Sequence, residues 1–276
     1  MIPQQEPPPP PLPPVPQPAP SPGKKGWIGV LAAVGLLLFK FKSLLVPVLK
    51  FFPILLKTGG TMFFTVWVYA MMWAWAFAAG FVVLIFIHEL GHVIAARQVG
   101  VKVSAPVFIP FVGALILLKE APQNAWAESK IAIGGPLLGS IGAAACYLLY
   151  PLTGNALFAA LAYTGFLLNL FNLAPLSPLD GGRIVTALSP WLWLVGLVIL
   201  GGLMVIHFNF IIFLVIVMSL PRLFSLFRGK TIEEINYFQV TPAQRWIMGT
   251  LYIGLAALLT IAMSAIPGQI AHHVSR

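Results

Sequence analysis

From Thr61 onward the chain reads as a succession of long apolar stretches cut by short breaks of polar, glycine or proline residues. The stretches are apolar all round, without the period-two alternation of barrel strands, so they predict membrane helices. Thr61 to Arg97 holds no internal lysine or arginine. A single helix of that length would measure about 55 Å against a hydrocarbon core of about 30 Å, so two spans turning near Trp75–Gly80 are expected. Val103–Leu118 is β-branched but broken by Pro106, Pro110 and Gly113, which argues for a hairpin or re-entrant loop dipping into the membrane. Further spans are expected at 131–150 and 156–174, turning at Pro151–Asn155. A helical hairpin over 191–220, folded at His207–Asn209, and a last span at 246–266 complete the pattern. The expected fold class is an all-α polytopic membrane protein of about six to seven transmembrane helices, with a re-entrant β-hairpin-like loop.

Ahead of these spans, residues 1–25 are dominated by proline and predict a disordered, polyproline-like cytoplasmic tail, either inert or offered to a partner. It lacks the basic-then-apolar order of a signal peptide. Residues 26–58 are apolar but punctuated by Lys40, Lys42, Lys50, Lys57, Pro47 and Pro53; amphipathic helices lying in the interface fit this pattern, with lysines snorkelling to headgroups. The division expected is thus a tail, an interfacial segment, a catalytic core over 59–190 and C-terminal helices over 191–276.

Composition agrees: 59% of residues are hydrophobic and 8% charged, against about 25% charged in a soluble domain. The net charge of +9 sits at the ends of apolar runs, which makes it a topology signal toward an anionic leaflet and excludes a nucleic-acid partner. Arg97, Lys102, Lys119, Lys130, Arg183, Arg222, Arg228, Lys230 and Arg245 should face the cytoplasm, since the opposite loops carry no basic residue. A bacterial plasma membrane is the expected location, an organelle of bacterial descent the alternative. Cys146 is the lone cysteine, so neither an internal disulfide nor a cysteine metal site is available.

The candidate chemistry lies in Phe81–His92, where His88-Glu89-Leu-Gly-His92 is set within an apolar run. Ionisable groups in hydrocarbon are costly and mark function. On a helix, residues four apart share a face, so His88 and His92 can bind one zinc ion with Glu89 beside them as base. A zinc site of this kind takes a third protein ligand and leaves a position for water, whose proton the carboxylate accepts as it attacks a carbonyl. Glu120 and Glu128 sit in a polar loop and read as solvated. Asp180, the chain's single aspartate, lies three residues before Arg183 as His92 lies five before Arg97, which puts both near one interface. Gly181 and Gly182 would let the backbone turn tightly there.

On His88-Glu89-Leu-Gly-His92 and Asn172-x-x-Pro175-x-x-Pro178-Leu-Asp180-Gly181, with Gly134-Gly135-Pro136 between, the chain resembles the site-2 protease family of intramembrane zinc metalloproteases (peptidase M50). The resemblance covers about residues 60–185. It implies one zinc per chain held by His88, His92 and Asp180, a catalytic Glu89, and an Asn172 close enough to help hold substrate or oxyanion. It also implies a membrane-spanning protein as substrate, cleaved in or next to its transmembrane segment; the positions of Arg97 and Arg183 after the ligands put the active site near the cytoplasmic side. The stretch between His92 and Asp180 is taken up by hairpin and spans, so the expectation is a compact member without PDZ or CBS domains. A strand edge in 103–118 could pair with an unwound substrate. The competing readings are a transporter or channel using the buried His and Asp, and an inactive membrane scaffold.

Overall fold

The computed structural model describes residues 57–111, 113–229 and 231–274, with side chains to 266. The proline-rich tail and most of the expected interfacial segment lie outside the described residues. Residues 57–70 are helical (α1), and a turn at 71–74 leads into α2, Trp75–Gln98. The turn falls earlier than expected because the Tyr69 carbonyl accepts the amides of both Met72 and Trp73 at 3.0 and 2.9 Å. Gly80 lies inside α2, where a Cβ would meet Leu161 at 2.5 Å; its small size serves helix packing rather than turning.

A two-stranded antiparallel hairpin follows, β1 (Val107–Ile109) with β2 (Gly113–Leu115), pairing Phe108 with Ala114. Two strands alone are marginal in water, and here α1 braces them. Thr58 Oγ1 donates to the Pro106 carbonyl at 2.8 Å, the Phe108 amide donates to Thr61 Oγ1 at 3.2 Å, and the Phe111 amide donates to the Tyr69 hydroxyl at 3.0 Å. Phe108 is buried and sits near Phe86 of α2, ring centroids 6.2 Å apart.

Helices α3 (Ala125–Thr153) and α4 (Ala156–Asn172) form a tight hairpin. Asn124 caps the start of α3 by accepting from the Ala127 amide, Gly154 ends it with φ +67°, and Asn155 caps α4 by accepting from Leu157. Such caps satisfy the helix-end groups that would otherwise be orphaned. The short α5 (Asp180–Leu188) is followed by α6 (Leu192–Ile206) and α7 (Phe210–Phe224), the latter capped by Asn209. A capping box of Thr231 and Glu234 opens α8 (Ile232–Tyr237), and α9 runs from Pro242 to Val274.

Among the described residues four apolar clusters hold this arrangement, and the two largest join the later helices. Ile133, Ala143, Phe166, Met248 and Leu259 join α3, α4 and α9. Leu176, Val185, Trp193, Leu200, Val215 and Leu223 join α5, α6 and α7. The outward faces stay apolar, with Val205, Phe208, Ile253 and Ile261 all exposed, as suits helices solvated by lipid.

Helices α2 and α3, and Pro242–Ile266 of α9, are long and apolar enough to cross a membrane. That makes the chain a helical integral membrane protein with a small hairpin. Among the described residues three helices are of membrane length, and three shorter apolar helices accompany them. Helix α4 has 17 residues and α6 and α7 have 15 each, about 25 and 22 Å by helical rise against a core of about 30 Å.

Candidate metal centre

His88 and His92 stand one turn apart on α2, both buried, and Asp180 opens α5 from a distant part of the chain. His88 Nε2 lies 3.1 Å from Asp180 Oδ2, His92 Nε2 lies 3.2 Å from the same oxygen, and the two Nε2 atoms are 3.1 Å apart. The donor atoms of these three residues all lie within 4.8 Å of one another.

The outer ring nitrogens determine what those inner atoms are. His92 Nδ1 lies 2.8 Å from the Ile131 carbonyl, and His88 Nδ1 lies 2.8 Å from Asn169 Oδ1. Both partners are acceptors, so each Nδ1 carries a hydrogen and, in the neutral ring, each Nε2 presents a lone pair. With both rings neutral, two imidazole lone pairs and a carboxylate oxygen therefore converge on one point. A cation resolves that repulsion. Tetrahedral ligands about 2.0–2.1 Å from zinc stand about 3.3–3.4 Å from one another, so this triangle is only slightly tighter than a zinc site requires.

Close helix packing builds the site. A Cβ on Gly135 of α3 would meet His92 Nε2 at 2.3 Å, and one on Gly134 would meet the Gly91 carbonyl of α2 at 2.6 Å. Pro136 has no amide to donate to the Ala132 carbonyl, and in the same turn of α3 the Ile131 carbonyl accepts from His92. Gly181 and Gly182 are helical rather than turning. A Cβ there would strike the Leu173 carbonyl at 2.1 Å or the Ser177 amide at 2.3 Å, so their bareness seats the 173–177 loop against α5.

Glu89 is buried next to His88, and its carboxylate makes no hydrogen bond or ion pair with another described residue. A buried carboxylate left unpaired is costly unless water or substrate meets it. The Asn172 amide nitrogen donates to the Leu168 carbonyl of its own helix at 3.1 Å. Three residues earlier, Asn169 makes the contact to His88 that the sequence reading missed. The available signal was its position on α4, one helical turn before Asn172.

Glu128 also differs from expectation. It is buried, not solvated, because α3 begins at Ala125 and turns this side chain inward. Its carboxylate meets Arg222 Nη2 at 3.2 Å, Arg183 Nε at 3.4 Å and the Tyr237 hydroxyl at 2.7 Å. Arg222 also stacks over Trp193 at 4.9 Å, and the Trp193 indole donates to the Gly182 carbonyl at 2.8 Å. The cluster thus ties α7 and α8 to the helix that begins with Asp180. Burial, and then the neighbouring Glu128 carboxylate, raise the pKa of the Tyr237 phenol. Glu120 is exposed and pairs loosely with Lys102 at 3.9 Å.

These features define a helical membrane protein with a buried two-histidine, one-carboxylate centre able to hold a single metal ion. Residues 76–155 match the model of Peptidase family M50, a segment that includes His88, Glu89 and His92. Over that segment the chain is similar to the M50 peptidases. A zinc metalloprotease of Methanocaldococcus jannaschii, MJ0392, is 32% identical over 124 residues, which is 43% of this chain and 35% of that protein. Rip3 of Mycobacterium tuberculosis is 37% identical over 131 residues, 43% of this chain and 32% of that protein. The chain therefore spans about a third of the length of these curated relatives. Among solved structures, the site-2 protease from M. jannaschii aligns with a TM-score of 0.38 at 24% identity, covering 65% of this chain and 87% of that one.

Proposed function

We propose that this chain is a zinc-dependent intramembrane endopeptidase, hydrolysing peptide bonds in or next to transmembrane segments of protein substrates. The observation that carries the reading is the convergence of His88, His92 and Asp180 with an unpaired Glu89 beside them, inside a membrane-length helix bundle. One zinc per chain would be held by the two Nε2 atoms and the Asp180 carboxylate. When bound, it would supply Lewis-acid polarisation and make water a nucleophile at neutral pH. Glu89 accepts the proton of the attacking water and returns it to the leaving amine. Asn172, hydrogen-bonded to its own helix, has less support as a substrate or oxyanion contact.

A transmembrane substrate hides its carbonyls in its own helix and must unwind to be cut. The hairpin offers a template for the unwound segment. Because the Phe108 amide turns away from β2 toward Thr61, Phe108–Ala114 is the non-hydrogen-bonded pair of the ladder, and the Ala114 amide and carbonyl face the opposite edge. That edge is the docking strand of this reading.

The shorter apolar helices α4, α6 and α7 join α2, α3 and α9 as spans, with α1 a seventh, in a bilayer thinned around the protein. The metal centre lies toward the cytoplasmic side, where Arg97 and Arg183 follow the ligands in sequence. A bacterial plasma membrane suits this arrangement. A metal or proton conduit has no use for a carboxylate beside the first histidine, which favours hydrolysis.

The test uses the purified, zinc-replete chain with fluorescent single-span peptides. Glu89→Gln should cut cleavage by about 10²–10⁴-fold, the usual share of a general base, while zinc content stays at the wild-type level. Cleavage by this variant at the wild-type rate would overturn the mechanism.

A further inference from the structure

Asn169 sits on α4 with 1% exposure, among the most deeply buried polar side chains in the described residues. Its amide is oriented without ambiguity. The nitrogen donates to the Gly165 carbonyl at 2.7 Å, which leaves Oδ1 facing His88 Nδ1 at 2.8 Å. On the opposite side, α3 provides a gap for this amide. A Cβ on Gly139 would stand 2.3 Å from Asn169 Oδ1 and 2.9 Å from its nitrogen. Three helices therefore meet at one hydrogen bond: α2 brings the imidazole, α4 the oxygen, and α3 the missing side chain that lets them touch.

We propose that Asn169 is a positioning residue for the metal centre, holding the Nδ1–H of His88 so that Nε2 is kept as a ligand, with Gly139 as the notch that admits it. A neutral imidazole can carry its hydrogen on either nitrogen, and only one tautomer leaves Nε2 free to bind. An oxygen that can only accept selects that tautomer and fixes the ring plane. Partners of this kind around metal-bound histidines are worth about 10–100-fold in metal affinity. For His92 the same service comes from the Ile131 backbone carbonyl, which no substitution can delete. Asn169 is thus the point where this support can be removed by changing one side chain. The bland alternative, a polar residue satisfied in the core, accounts for the bond to Gly165 but not for a notch in a second helix aimed at the oxygen.

The inference rests on the zinc-centre reading, and the experiment separates the two. Zinc affinity of the full-length chain in detergent is measured by chelator competition, together with the visible spectrum of the cobalt-loaded protein and the melting temperature of the metal-free form. Asn169→Leu and Gly139→Ala should each weaken zinc binding about 10–100-fold and shift the cobalt spectrum. The double variant should lose no more than the worse single, because both act through one hydrogen bond. Asn169→Asp, which keeps an acceptor, should stay within about threefold of wild type. Binding by Asn169→Leu and Gly139→Ala within twofold of wild type would overturn the proposal, as would an Asn169→Asp loss equal to that of Asn169→Leu. If the wild type binds no zinc, or Asp180→Ala binds as tightly as wild type, the zinc-centre reading fails instead.

Discussion

Replacing Glu128 by glutamine removes one negative charge from between two guanidinium groups while keeping the shape of the side chain. The carboxylate accepts from Arg222 at 3.2 and 3.3 Å, from Arg183 at 3.4 Å and from Tyr237 at 2.7 Å. Breaking a fully buried ion pair by removing one partner costs about 3–5 kcal/mol, and a surface pair is worth about 0–1 kcal/mol. Here the Glu128 side chain is 9% exposed but Arg183 and Arg222 are 24% and 31% exposed, so water screens the arginines in part. A loss of about 2 kcal/mol lies between those limits. For a chain of this size that lowers Tm by about 4–8 °C. The assay is thermal unfolding of the purified protein in detergent, with Glu120→Gln as the control. Glu120 and Lys102 are 62% and 78% exposed at 3.9 Å, so that substitution should leave Tm unchanged. A Glu128→Gln protein that melts within 1 °C of wild type, at about the resolution of the method, would refute the view that this cluster clamps α7 and α8 to the helix carrying Asp180.

Tyr237 should make stability fall at alkaline pH. Its phenol pKa is raised above the ordinary 10.0 by burial and by Glu128, so the folded state holds the proton more tightly than the unfolded one. Its contribution is complete below about pH 10 and declines above it as the unfolded phenol ionises first; in Tm measured against pH, Tyr237→Phe should remove that part of the decline. Gly135→Ala should abolish zinc binding while leaving the helix content seen by circular dichroism intact, because the added methyl occupies the place of His92 Nε2. Ala114→Pro deletes the amide on the β2 edge that faces away from β1. It should slow cleavage of single-span peptides at least several-fold with zinc content unchanged, and an undiminished rate would count against strand addition.

Local spacing was enough to bring His88, Glu89 and His92 to one helix, since the i, i+4 relation needs no tertiary information. The prolines and glycines of 103–118 likewise marked the hairpin, and Asn209 and Gly154–Asn155 marked helix ends by their capping chemistry. What stayed hidden depends on how helices rotate against one another. Asn169 and Asn172 are both plausible polar anchors on α4, and only the packing of that helix on α2 decides that the first reaches His88. Glu128 looked solvated because its partners Arg183, Arg222 and Tyr237 lie far along the chain. Gly80, Gly181 and Gly182 read as turn residues, yet they work as contact points between elements, a role that a sequence does not distinguish from turning.

Whether His88, His92 and Asp180 share one ion can be read from X-ray absorption at the zinc edge of the purified, zinc-loaded chain. The expected result is one zinc per chain with two imidazole nitrogens at about 2.0–2.1 Å and carboxylate oxygen at about 2.0–2.2 Å, and loss of that signature in Asp180→Ala. Zinc bound without imidazole scattering, or an unchanged spectrum in Asp180→Ala, would contradict it.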